Sequence, residues 1–186
     1  MESVGFKEWA LVCAALGDGR QSVIVRKGGI AEGRDGFQFR HREFFLFPTF
    51  FHEQLERTRL RETALPERRP NEIEIRFFAR IEETSVVDDW EKARALAPFH
   101  ILQESVVRER FDYHDAPGLQ VVLVRVFRLE PVWRLADGPR YGGCRSWVEL
   151  PEPPAELHLH SVVEAPEQAQ RREQFRRVLQ ANSLTS

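Results

Sequence analysis

The chain has 186 residues and a formal net charge of −2; 42% of its residues are hydrophobic and 30% are charged. This balance excludes disorder over most of the length and argues against binding to nucleic acid or membranes through bulk charge. Two cysteines, Cys13 and Cys144, are too few for a disulfide framework or a cysteine-based zinc site, so we expect a cytoplasmic protein. No apolar run approaches the roughly 20 residues that span a bilayer, so no membrane segment is expected.

The first predicted element is an amphipathic helix over Val4 to Leu16, because its apolar residues recur at spacings of three and four. Glu8 lies beside this apolar stripe, where a solvated or surface-paired carboxylate is expected. Cys13 is interpreted as a core residue, since nothing near it in the sequence would lower the pKa of its thiol.

The stretch from Ser22 to Phe51 is the one around which we expect the fold to be organised, as a hairpin of two strands about a glycine-rich loop. In the second strand, Phe37 to Phe47, a period of two places His41 and Glu43 at the centre of the more apolar face. Burying an imidazole and a carboxylate costs several kcal/mol unless each has a partner. Both side chains are therefore predicted to be paired.

The loop of this hairpin carries a candidate anion site. Lys27 is predicted to point towards the side of the sheet that carries His41 and Glu43. Gly28 and Gly29 follow it, and two glycines allow the backbone to present its N–H groups as a small anion-binding nest. Two interpretations stay open here, a hairpin loop with one structural ion pair and an anion-binding or catalytic site.

A highly charged region follows, in which Phe51 to Glu62 is predicted to start a helix. Mixed charges of this kind are typical of a solvated face, and a nucleic-acid surface is the less favoured interpretation. The arginines concerned are Arg57, Arg59, Arg61, Arg68 and Arg69.

Glu72 to Glu82 alternates apolar and charged residues and predicts a strand with one buried and one mostly solvated face. Asp88 and Asp89 then predict the start of a helix that runs to about Ala97. Phe99 to Phe111 predicts a second short helix.

Leu119 to Leu129 is apolar on both faces and rich in β-branched residues, which predicts a central strand. Arg125 is then aimed at an apolar layer and needs a carboxylate or an anionic ligand. Glu43 is the preferred partner. The alternative is a strand at the sheet margin, from which Arg125 reaches water.

The last third of the chain predicts a strand within Tyr141 to Leu150 and, after a run of prolines, a closing helix that opens at Pro166. His158 and His160 share one face of a strand, but no carboxylate or cysteine beside them completes a metal site. We expect one globular domain over residues 1–186, in which residues 151–186 form a proline-containing connector and a C-terminal helix packed on the rest.

The order of these elements predicts an α+β fold: a mainly antiparallel or mixed sheet with helices packed against it. A partly closed barrel is an alternative arrangement of the same strands.

Four blocks carry a family resemblance: KEWALVCAAL (7–16), VIVRKGGI (23–30), HREFFLFPT (41–49) and PGLQVVLVRVFRL (117–129). Together they resemble a bacterial family known as domain of unknown function 1802, and the RKGGI and FLFPT segments are the most specific. The resemblance implies a bacterial cytosolic protein, and it supplies no established activity or catalytic residues.

The favoured functional hypothesis is binding of a phosphate-bearing ligand, such as a nucleotide or a nucleic-acid end. Its candidate residues are Lys27, Gly28, Gly29, His41, Glu43 and Arg125.

Two alternatives stay open. One is a metal-dependent nuclease or phosphodiesterase, in which Glu8 and Glu43 bind the metal and Lys27 stabilises the transition state. The other is a protein-interaction module without catalysis. The motifs of the common cofactor and hydrolase classes are absent from the sequence, so no cofactor is expected.

Overall fold

The computed structural model describes residues 1–26, 39–61, 64–113 and 118–181. Within these ranges the chain forms one mixed sheet of seven strands, not closed into a barrel, with four helices packed against it. The predicted α+β class is confirmed. None of the helices in these ranges is long and apolar enough to cross a membrane.

The strands are β1 (Val4–Trp9), β2 (Val23–Arg26), β3 (Glu43–Thr49), β4 (Glu72–Val87), β5 (Leu119–Ala136), β6 (Trp147–Glu149) and β7 (His158–Ser161). The helices are α1 (Ala10–Gly17), α2 (Trp90–Ala95), α3 (Glu104–Phe111) and α4 (Ala165–Gln180). Short 3₁₀ turns cover His52–Gln54, Ala97–Phe99 and Pro139–Tyr141.

The strands lie side by side in the order β2-β5-β4-β3-β1-β6, and β7 adds to β5. The long β4–β5 pair forms the middle of the sheet. β1 runs parallel to β3, whereas the other pairs are antiparallel. In the parallel pair Gly5 lies opposite Phe45 and Glu8 lies opposite Pro48.

The N-terminal segment is the largest correction to the predicted elements. The helix predicted over Val4 to Leu16 is a strand as far as Trp9, and only Ala10–Gly17 is helical. Val4 and Phe6 fit a period of two as well as a period of three to four, and hydrogen bonding to β3 and β6 on either side selects the strand.

The predicted hairpin between Val23 and Phe47 is also wrong. β2 pairs with β5, with Ile24 opposite Val122, and β3 lies between β1 and β4. Most of the connecting loop, residues 27–38, lies outside the described residues. β3 begins only at Glu43, and the four residues after it are all buried because both of its faces are covered.

Several local predictions are confirmed. β4 and β5 include the predicted strands and extend beyond them. α2 begins as predicted, because the Asp89 carboxylate accepts hydrogen bonds from the backbone N–H groups of Glu91 and Lys92. Other boundaries differ: the described residues 51–61 form the turn His52–Gln54 in place of a longer helix, α3 begins at Glu104, and the strand predicted within Tyr141 to Leu150 is three residues long.

The apolar residues form two clusters, one on each face of the sheet. The larger cluster contains buried residues from each of the four helices of the described ranges. The smaller cluster packs the ends of β4 and β5 against Tyr141, Val148, Leu150 and Leu157. The helices therefore cover one face, and the segment from Pro139 to Leu157 covers the other.

A tight contact between α1 and β4 gives a test of this arrangement. A Cβ atom at Gly17 would lie 2.0 Å from the nearest atom of the Phe77 ring. Gly17→Ala should destabilise the protein by roughly 2 kcal/mol, because a packed ring must move and the gain in helix propensity is smaller. Gly138→Ala is the control, since a Cβ there meets nothing within 4 Å. Equal free energies of unfolding for the two variants in urea would contradict the contact.

Candidate functional site

In the described part of the chain, several half-buried charges gather where β1, β2 and α3 end near one another. We call Arg26, Arg57 and Arg110 the arginine cluster. The guanidinium carbon of Arg110 lies 4.9 Å from the centre of the Trp9 ring, and that of Arg57 lies 5.6 Å from it. Cations over an aromatic face are attracted by its quadrupole, so Trp9 helps to hold two like charges near each other.

Trp9 and Glu8 are positioned by the corner between β1 and α1. Gln54 is fully buried there; its side-chain oxygen accepts the N–H of Leu11 at 3.2 Å and its amide nitrogen donates to the Thr49 carbonyl at 2.7 Å. Glu8 is only 2% exposed, and its Oε1 accepts the N–H of Trp9 at 2.9 Å. These bonds hold a buried carboxylate against the backbone of Trp9.

Arg26 and Arg57 approach the site from two other segments. Arg26 donates from Nη2 to the Lys7 carbonyl at 3.0 Å and to Ser146 Oγ at 3.1 Å. Arg57 donates to the Glu109 carboxylate at 2.6 Å. Each of these two guanidiniums is thus anchored by specific acceptors.

No carboxylate of the described residues lies within ion-pair distance of Arg110, whereas Arg57 pairs with Glu109. Arg110 is half-buried and donates from Nη1 to the Val25 carbonyl at 2.6 Å. Burial lowers the pKa of Arg110 to about 10; the charge of Glu8 opposes this shift, and the charges of Arg26 and Arg57 add to it. A guanidinium in this setting retains donors and charge for an anion.

His100 supplies no charge to the site. Burial, reinforced by the positive charges of Arg59 and Arg110, lowers the pKa of His100 to about 3. Its Nδ1 accepts the N–H of Leu102 at 3.2 Å, which fits a neutral ring. The imidazole is therefore uncharged at neutral pH.

This shift predicts a loss of stability in acid. The folded-state pKa of His100 lies below the unfolded value of about 6.5, so protonation favours unfolding and the stabilisation fades as the pH falls below 6.5. Between pH 6.5 and pH 5 the loss should be about 2 kcal/mol. His100→Asn keeps an acceptor for Leu102 and should lack this component of the pH dependence. Identical pH profiles of unfolding for the two proteins would contradict a buried neutral His100.

Three of the residues predicted from the sequence for a site, Lys27, Gly28 and Gly29, lie outside the described residues. His41 is partly exposed, and its Nδ1 lies 2.5 Å from the Glu2 carboxylate. Arg125 contacts Ser161 Oγ at 3.2 Å.

The partner predicted for Glu43 needs correction. Its carboxylate pairs with Arg80 at 2.6 Å instead of with Arg125. Arg80 lies on β4, between Glu43 on β3 and Arg125 on β5, so it is the nearer cation. The side chains of Glu43 and Arg80 are 31% and 52% exposed, so this is a surface ion pair. The sequence placed Arg80 correctly on a solvated face of β4, but it did not show that β3 would be its neighbour.

Because the pair is exposed, Glu43→Ala should change the free energy of unfolding by no more than about 1 kcal/mol. Arg80→Ala is the matched control and should have an effect of similar size. A loss of about 3 kcal/mol for Glu43→Ala in chemical denaturation would show that the carboxylate is buried after all.

The two carboxylates proposed as metal ligands do not converge. Glu8 lies opposite Pro48, five residues along β3 from Glu43, and at 3.3 Å per residue this corresponds to roughly 16 Å. His158 and His160 are exposed, and His160 Nε2 lies 3.2 Å from the Glu130 carboxylate. The described ranges contain no group of three or more His, Cys, Asp or Glu side chains that could hold a metal ion.

The sequence did not reveal the arginine cluster. Arg57 lies in a run of mixed charges that is typical of a solvated face, and Arg110 is one of several charged residues on a short helix. Trp9 lies within Val4 to Leu16, which the sequence predicts as an amphipathic helix, so it was interpreted as a residue of the apolar helix face. The one available signal was Arg26, which directly precedes the predicted anion-binding loop at Lys27.

Comparison with known proteins gives one family and three distant structures. The structures are the ASCH protein from Zymomonas mobilis and two mutant forms of it, with TM-scores of 0.41 to 0.43 and 14% identity. They cover 91–93% of this chain, and the chain covers 92–97% of theirs. No curated protein gives a match. The family model for the domain of unknown function DUF1802 matches residues 5–174, so the chain belongs to the DUF1802 family.

Proposed function

We propose that this protein binds a phosphate-bearing ligand, such as a nucleotide or a nucleic-acid end, at the arginine cluster. The observation that carries the proposal is Arg110, a half-buried guanidinium without a carboxylate partner among the described residues. Leaving a charge desolvated without a counterion costs several kcal/mol, and a bound anion removes that cost.

The chemistry of the cluster suits phosphate. Guanidinium groups present planar forks of N–H donors that match phosphate oxygens two at a time. Arg26, Arg57 and Arg110 come from three separate segments, and the charges of Arg26 and Arg57 both act on Arg110. Like charges gathered in this way oppose folding, so a function that uses them is favoured over a purely structural role.

Trp9 adds a reason to favour a nucleotide over inorganic phosphate. Its ring is partly exposed, and the Phe51 ring lies 5.2 Å from it in an edge-on arrangement. Partly exposed aromatic rings and arginine planes both provide surfaces against which bases stack.

The residues predicted to bind anions are neighbours of the arginine cluster in the sequence. Lys27, Gly28 and Gly29 directly follow Arg26, and we include them in the proposed site for that reason. The proposal does not extend to a metal-dependent nuclease, because the carboxylates needed for that reaction lie far apart.

The test is a ligand titration followed by thermal unfolding. ATP, pyrophosphate or a short 5′-phosphorylated oligonucleotide at 100 times its dissociation constant should raise the melting temperature by about 5–10 °C. Arg110→Met keeps much of the side-chain volume over Trp9 and removes the charge, so it should abolish the rise. Without ligand this variant should be as stable as the parent or more so, because a desolvated cation is lost.

Arg108→Met is the matched control, because Arg108 is an exposed residue of the same helix that pairs with Asp112. It should leave the ligand-induced rise unchanged. Lys27→Ala tests the loop separately and should reduce the rise. If none of the three anions shifts the melting curve of the parent, the proposal fails and the alternative of a protein-interaction module gains support.

A further inference from the structure

Lys7 is a second buried cation, and it lies on the opposite face of β1 from Glu8. The residue is 8% exposed, and Nζ donates to the carbonyls of Gly142 at 3.2 Å and Gly143 at 2.9 Å. An ammonium has three donors, and the described residues offer acceptors for only two of them. No carboxylate of the described residues lies within ion-pair distance of it.

Lys7 forms part of the wall of an open pocket between β1, the end of β3 and the turn around Tyr141. The pocket has a volume of about 230 Å³, which is below the usual range of about 300–1,000 Å³ for drug-sized ligands. Phe47 and Tyr141 form an apolar side, with ring centres 5.2 Å apart. The space suits a small molecule of about one ring.

The charges around the pocket restrict the ligand further. Burial lowers the pKa of Lys7; the interaction with Cys144 raises this pKa, and the charge of Arg145 lowers it. The rim carries Asp137, which pairs with Arg68 at 2.8 Å, and the half-buried Glu72. The two rim carboxylates outnumber the one rim guanidinium, Arg68, which disfavours a polyanion such as a nucleotide, whereas the single ammonium inside attracts one negative charge.

We propose that the Lys7 pocket binds a small monocarboxylate with an aromatic or apolar body. The carboxylate accepts a hydrogen bond from the third N–H of Lys7, and the body packs against Phe47 and Tyr141. This site is separate from the arginine cluster, and its ligand class differs from the phosphate-bearing ligand proposed there.

The test uses benzoate as the probe, with binding followed by ligand-observed NMR, and benzamide as the uncharged analogue of the same shape. Benzoate should bind the parent protein about tenfold or more tightly than benzamide, because only the carboxylate forms a charge-assisted bond to Lys7. Lys7→Met should weaken benzoate binding by about tenfold or more. Equal affinities for the two probes, or unchanged benzoate affinity in Lys7→Met, would overturn the proposal.

Two further variants keep the test independent of how Lys7→Met folds. A Cβ at Gly138, on the rim, meets no atom within 4 Å, so Gly138→Leu should fold normally and block benzoate by occupying the pocket. Lys92→Met removes a lysine from α2 and should leave benzoate affinity within about twofold. Arg110→Met should also retain benzoate binding, which separates this site from the arginine cluster. Undiminished benzoate binding in Gly138→Leu would place the probe elsewhere and overturn the proposal.

Discussion

The placement of β1 in the interior of the sheet is the constraint on which both candidate sites depend. β1 pairs with β3 on one side and β6 on the other, and the two apolar clusters cover the two faces of the sheet, so side chains on both faces of β1 are buried. Because successive side chains of a strand point to opposite faces, Lys7 and Glu8 are buried on different sides of the sheet. Two adjacent residues of opposite charge therefore contribute to two separate environments.

The backbone of β1 also connects these environments. The Lys7 carbonyl accepts a hydrogen bond from Arg26, and the Glu8 carbonyl accepts one from Thr49 Oγ1. The N–H of Lys7 donates to the Ser146 carbonyl at 2.8 Å, and Arg26 also donates to Ser146 Oγ. The segment from Pro139 to Leu157, which covers the second face of the sheet, is thus held through Ser146 by β1 and by Arg26, a member of the arginine cluster.

The fold was predictable where neighbouring residues decide the structure. The alternation of apolar and charged residues predicted β4, the β-branched residues predicted β5 and the aspartate cap predicted the start of α2. Each of these signals lies within one short stretch of sequence. Val4–Trp9 was mistaken for helix because the strong helix formers of Ala10–Gly17 extend the apparent period backwards. Its actual partners lie about 40 and 140 residues away, and no local pattern reports them.

The candidate site was harder to predict for the same reason. The sequence predicts a phosphate site on one hairpin, completed by Arg125 from a later strand, whereas Arg26, Arg57 and Arg110 are brought together by β2, by the turn after β3 and by α3. Glu43 was also given the wrong partner for this reason. Its partner is Arg80 on the neighbouring strand β4, which does not lie beside Glu43 in the predicted hairpin. A charge on an apparently apolar face correctly predicts a partner, but the identity of the partner depends on the strand order.

The two glycine pairs of the chain show that a Gly-Gly motif does not determine whether its backbone binds an anion or a cation. Gly28-Gly29 was interpreted as a nest of N–H donors for an anion. Gly142-Gly143, with Gly143 at a φ of +80°, turns its carbonyls towards the ammonium of Lys7. A glycine pair permits either orientation of the peptide groups, because the absence of Cβ removes the steric preference between them. The neighbouring charge decides which is used, and at Gly142-Gly143 that charge is a lysine fixed by the pairing of β1.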